Sequence, residues 1–150
     1  MSKKTAQEMA EWMAQLADDF NSKWIGTYIL DENHQPVKAS TLTWARCLEM
    51  SDRQVALSET ELHEVSTVFL GLDHSFGNGP PILFETMVFA RERGGDGQRL
   101  GDDLGLMDRY ATWDEALKGH NDILREVSKL EGEATKKVKS LQTPPERNKA

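Results

Sequence analysis

A single cysteine, Cys47, is the only thiol in this 150-residue chain, which excludes an intrachain disulfide and any zinc site built from several cysteines. Cys47 lies in the apolar-periodic run Leu42–Met50, where a buried, inert thiol is the expectation. Long apolar runs are also missing. None approaches the ~20 residues needed to span a bilayer, and MSKKTAQEM has no apolar stretch behind its lysines, so neither a membrane span nor a secretory signal is expected. Positive charge is in deficit, with 18 Lys and Arg against 25 Asp and Glu for a net charge of −7. That balance disfavours nucleic acid as a partner. There is no H-E-x-x-H, no paired Cys or His at ligand spacing and no GxxxxGK[ST], so no metal and no cofactor is expected. These absences point to a cytoplasmic protein.

What the chain does have is concentrated between Val65 and Phe89. Two runs rich in Val, Thr, Ile and Phe, Val65–Leu72 and Ile82–Phe89, flank a segment of Asp, His, Asn, Gly and Pro, Asp73–Pro81. Branched and aromatic residues fit a pleated, half-buried surface and the intervening residues break it, which predicts a β-hairpin with a long loop.

Around this hairpin the periodicities order the rest. Thr5 and Glu8 have capping-box spacing, and Met9, Met13, Leu16 and Phe20 recur on one stripe with Trp12 beside them. This predicts an amphipathic helix over 5–21, ended by Asn21 and Ser22. Trp24–Leu30 reads as a strand closed by the turn at Asp31–Gln35, and Pro36 bars a central strand there. Ser40 or Thr41 caps a short helix to Met50, with Leu42, Ala45, Cys47 and Leu48 on its buried side. Arg53–Leu62 reads as a weaker strand with an acidic end. RERGGDGQRLGDDLG, within 91–105, reads as a mobile glycine loop. Leu106–Ala111 allows a short strand. Thr112 and Glu115 start a C-terminal helix whose packed part is expected to end near Leu130 and then fray, and 143–150 is expected to be a disordered tail. The sum is one α+β domain over 1–142, with an antiparallel sheet of four to five strands around the hairpin and helices near both termini.

FLGLDHSFGNGPPILFETMVF followed by RYATWDEALKGH resembles a family of small, uncharacterised proteins of bacteriophage and prophage genomes. WIGTYILDENHQPV and TWARCLEM fit the same pattern, so the resemblance covers about 24–125. It implies a phage-encoded accessory protein and transfers no catalytic residue. The N-terminal helix and the lysine-containing tail lie outside it.

Asp73 and His74 could orient a base or hold a metal, but neighbours on extended chain point to opposite faces. The plainer expectation has Asp73 accepting backbone amides and His74 packing on Phe76 or the sheet. Glu85 interrupts an apolar strand and needs a partner, from among Arg46, Arg53, Arg109 or a histidine, because a buried lone carboxylate is costly. His34, His63, His74 and His120 match no metal motif, and His120 falls on an apolar helical stripe as a core residue. Lys136, Lys137 and Lys139 read as a solvated helix end. Four tryptophans are many for this length, and Trp12 is the candidate for a binding hot spot. If the N-terminal helix does not pack on its own sheet, which is the default expectation, it offers a homodimer or partner-binding surface.

These readings converge on a non-catalytic protein that binds a host or phage protein, suppression of a host defence being one concrete form. Its candidate contacts are Asp73, His74, Phe76 and Asn78 in the loop, with Met9 and Trp12 on the helix. The rivals are a small hydrolase or metal-dependent enzyme using Asp73, His74 and Glu85, and a minor virion component.

Overall fold

The structure, a computed structural model, describes residues 5–24, 26–75, 79–93 and 97–142, with the side chains of 17–24 and 140–142 left aside. Along the chain run α1 (Ala6–Trp24), β1 (Tyr28–Leu30), β2 (Pro36–Lys38), α2 (Thr41–Met50), β3 (Gln54–Glu59), β4 (His63–Phe69), β5 (Phe84–Ala90), β6 (Glu92–Arg93), β7 (Gln98–Arg99), β8 (Met107–Tyr110) and α3 (Trp113–Gln142). The fold is α+β, with a four-stranded antiparallel sheet ordered β3-β4-β5-β8 and helices near both termini.

The hairpin expected from the sequence forms its centre. β4 and β5 pair from His63↔Ala90 to Phe69↔Phe84 without a shift. Side chains alternate across a strand, and β4 obeys this closely: His63, Val65, Thr67 and Phe69 are buried and the residues between them only partly so. α3 packs on that inner face, where Phe69, Leu83, Phe84, Tyr110 and Ala116 form the core. Gly119 is required there, because a Cβ on it would collide with the Tyr110 ring.

The helix starts follow the local chemistry. The Thr5 amide donates to Glu8 Oε2 at 2.7 Å and the Glu8 amide to Thr5 Oγ1 at 3.3 Å, the reciprocal capping box. Ser40 caps α2 through the Thr43 amide. Thr112 Oγ1 accepts from the Glu115 amide at 3.1 Å.

Several expectations are corrected. Asn21 and Ser22 do not end α1, which continues to Trp24, so the strand expected from Trp24 shrinks to Tyr28–Leu30. That strand pairs with β2 in a separate ribbon, with Pro36 at the first strand position, where its missing N–H is tolerated. The ribbon meets the central hairpin through a Thr27↔Leu72 bridge. The segment read as a glycine loop contains the β6–β7 ribbon. α3 does not fray after Leu130 but stays helical to Gln142, its residues 133–139 exposed. α1 packs on α2 and makes no comparable contact with the sheet. α2 itself has no fully buried residue, and Leu42 is exposed. The tail over 143–150 lies outside the described residues.

Candidate functional site

The hairpin loop is held by its first residues. Asp73 Oδ1 accepts from the Ser75 amide at 2.8 Å and the Ile82 amide at 3.0 Å, closing both ends of the loop on one carboxylate. Burial pushes the Asp73 pKa up, but the Ser75 and Ile82 hydrogen bonds outweigh it and hold the group below the usual aspartate value. His74 Nδ1 sits 2.7 Å from the Leu72 carbonyl, on which it donates. Gly71, at φ +69°, lets the chain turn beneath Trp44, whose indole N–H donates to the Leu70 carbonyl at 3.1 Å. Phe76 and Asn78, the other two loop candidates, lie outside the described residues. Asp73 therefore has the turn-closing role, its Oδ1 engaged by two of the protein's own amides.

Glu85 lies on the outer face of β5 and meets Arg109, directly opposite on β8, at 2.9 Å. Arg109 is one of the partners the sequence offered. Leu83 is fully buried just ahead of the strand. Asp73, His74 and Glu85 thus each have a separate structural partner.

The histidines divide by environment. His120 is buried with Nδ1 2.8 Å from Thr67 Oγ1 and Nε2 2.8 Å from Ser58 Oγ, and Thr67 in turn bonds Thr86 at 2.6 Å. Burial lowers its pKa, so the ring is held neutral. This is the satisfied core histidine expected from its stripe. His34, at φ 58° in the β1–β2 turn, stacks on Trp113 with ring centroids 3.8 Å apart, and Trp113 meets Phe84 edge-on.

His63 carried no signal in the sequence beyond being one of four histidines that match no metal motif. It is buried, with Nδ1 2.7 Å from Glu131 Oε1 and Nε2 2.8 Å from the Asp102 carbonyl. Both nitrogens thus lie within hydrogen-bond distance of an oxygen. Glu131 also accepts from the Thr60 hydroxyl at 2.5 Å and the Leu62 amide at 3.1 Å. Burial raises the Glu131 pKa, yet these bonds together hold it below the ordinary glutamate value. The pair lies 68 residues apart in sequence, a separation no local pattern can reveal. It ties α3, the β3–β4 turn and the segment before β8 at one point.

Among the described residues no group of three His, Cys, Asp or Glu is placed to hold a metal ion. A cavity of about 100 Å³, lined by Tyr28, Trp44, Cys47, Leu48, Phe69 and Trp113, lies between α2, β1 and the sheet. That is well below the roughly 300–1,000 Å³ of small-molecule sites. No described helix is long and apolar enough to cross a membrane.

The exposed apolar surface is concentrated elsewhere. On α1, Met9 (42 %), Trp12 (49 %), Met13 (60 %) and Leu16 (48 %) are all exposed. They belong to the stripe that the sequence spacing predicts, whose last member, Phe20, lies outside the described side chains, and each is exposed rather than buried in the core. A second set, Leu57, Met87, Phe89 and Met107, is exposed on the sheet face opposite α3. Comparison of the chain with protein-family models, with curated proteins and with solved structures finds no match.

Proposed function

We propose that this is a non-catalytic protein that works by binding another protein, and that α1 is its principal contact. The supporting observation is the exposed ridge Met9, Trp12, Met13 and Leu16 on a helix whose main packing, among the described residues, is against α2. An amphipathic helix ordinarily turns such a stripe into its own core, and a ridge left in solvent has the i, i+3, i+4, i+7 anchors of helix-in-groove recognition. The structural engagement of Asp73 in a turn and of Glu85 with Arg109 supports binding over the small-hydrolase reading of these residues.

The resemblance of 24–125 to small phage proteins gives this reading its setting: an accessory protein in the host cytoplasm whose partner is a host or phage protein, with inhibition of a host defence as one outcome. Pairing of two α1 helices into a homodimer is the competing use of the same ridge. The test is affinity capture from bacterial lysate with the wild-type chain, Met13→Glu and His74→Ala. The reading expects specific partners that Met13→Glu loses and His74→Ala keeps. It fails if both variants capture the wild-type set, or if His74→Ala alone loses it. Sedimentation of the purified chain separates homodimer from monomer.

A further inference from the structure

The outer sheet face ends in an incomplete edge. β8 pairs with only Phe84–Met87 of β5, while β5 runs on to Ala90. The chain is turned away at that point by Asp103, whose Oδ1 accepts the Gly105 amide at 2.9 Å, and by Gly105 itself at φ +62°. Main-chain groups alternate sides along a strand. The Arg91 amide donates to the Leu62 carbonyl on the β4 side, so Val88 and Ala90 point theirs to the open side. Neither has a hydrogen-bond partner there among the described residues. An open groove of about 380 Å³, lined by Met87, Phe89, Glu92, Arg99 and Asp103 among others, follows this edge.

The charge beside the groove is one-sided. Glu59 and Glu64 stand directly opposite each other on the outer face, and Glu64 is in turn opposite Phe89. Like charges in direct opposition are destabilising. The Arg91 guanidinium, 3.7 Å from Glu59, relieves only that member of the pair. In the groove itself Arg99 stands opposite Glu92 in the β6–β7 ribbon, which leaves Asp103 in excess.

We propose that Val88–Ala90 and the adjoining apolar face bind an extended, basic segment of a partner protein, which adds as a strand in line with β8. The segment's main chain takes up the groups of Val88 and Ala90, as in other strand additions. Its apolar side chains cover Met87 and Phe89. A lysine or arginine beside Phe89 lies over the ring, a cation–π contact, and extends toward Glu64 on the next strand but one, strands being about 4.8 Å apart. A second copy of this chain is a poor occupant. Its own exposed ridge is bordered by Glu8 and Glu11, and the chain carries a net charge of −7. The surface is separate from the α1 ridge and stands whether or not that ridge binds.

The probe is a fluorescent decapeptide built on the repeat Lys-Lys-Val-Val, which places lysine and valine in turn along each face of a strand, titrated into the full chain with anisotropy as the readout. We expect saturable binding that weakens with salt and is absent for the glutamate–valine counterpart. Glu64→Lys and Phe89→Ser should each weaken it at least tenfold, and N-methylation of alternate probe amides should abolish it. Glu133→Lys makes the same charge change on exposed α3 and should leave affinity within twofold. Glu64→Gln, tested alongside, removes the charge with the least disturbance of the fold. Equal losses from Glu64→Lys and Glu133→Lys would reduce the effect to net charge and overturn the proposal. So would binding that survives N-methylation, no binding at all, or a face covered by self-association of the chain.

Discussion

At His120, burial between Ser58 and Thr67 lowers the ring's pKa from the ordinary 6.5, and the sign of the consequence is fixed by linkage. The unfolded chain takes up the proton first, so the stability His120 contributes is complete above about 6.5 and drains as the pH falls toward the folded value. The difference in unfolding free energy between wild type and His120→Gln, neutral at every pH, should therefore narrow between pH 7.5 and 5.5, as read by urea denaturation. A difference that widens contradicts it. His63 and Glu131 are a different case, a buried pair whose partners depend on each other. Glu131→Ala leaves His63 Nδ1 and the Leu62 amide without their acceptor, while the Thr60 hydroxyl keeps the His63 carbonyl at 3.0 Å. Breaking such a pair costs about 3–5 kcal/mol, and the same denaturation measurement should show a loss of that size. Glu131→Gln keeps an acceptor oxygen and should lose clearly less. If the two variants lose equally, the hydrogen bonds assigned to Glu131 are not what holds the three segments together.

Between neighbouring elements, Gly71 is where α2, β1 and the end of the central hairpin come closest. A Cβ there would lie 2.5 Å from the Trp44 indole nitrogen and 2.7 Å from the Tyr28 carbonyl oxygen, on a backbone already at φ +69°. Left-handed strain and overpacking act together, so Gly71→Ala should cost about 2–4 kcal/mol, with the Trp44 fluorescence shifted by its displaced ring. An unchanged melting temperature would show that the contact between α2 and the hairpin is looser than drawn. This contact also marks how far the sequence can be read. Caps are local, so Thr5, Ser40 and Thr112 located the helix starts correctly, and period-two alternation located β4 and β5. The ends were harder. Asn21 and Ser22 look like a stop but leave α1 running, because helix propensity differs little among such residues and a single polar pair does not break a helix. The β6–β7 ribbon was hidden because its glycines signal a loop while its pairing is only two residues a side.

Across the molecule, what the sequence could not show is which apolar stripe faces inward. Periodicity identifies a face on α1 and on α3 alike, yet only α3 turns its face to the sheet. The choice depends on the space left over the inner face once α3 has covered it with Ala116, His120 and Val127, all buried. No one-dimensional pattern encodes that competition. In the loop, the amide-accepting role of Asp73 was legible in the sequence, though not that it reaches the Ile82 amide nine residues on, and His74 bonds the Leu72 carbonyl two residues back. The same asymmetry yields the last expectation. An element that buries little adds little to global stability, and its opening is only locally costly. Because α1 packs mainly on α2 among the described residues, deleting residues 1–24 should leave the sheet and α3 folded. It should lower the unfolding free energy by less than about 2 kcal/mol, with the amide resonances of β4, β5 and α3 retained in a heteronuclear spectrum. The same deletion should abolish capture of any partner held by Met9, Trp12 and Met13. A chain that unfolds without α1 would mean that the helix is a structural support, and its exposed ridge would then lose the argument that it is kept for binding.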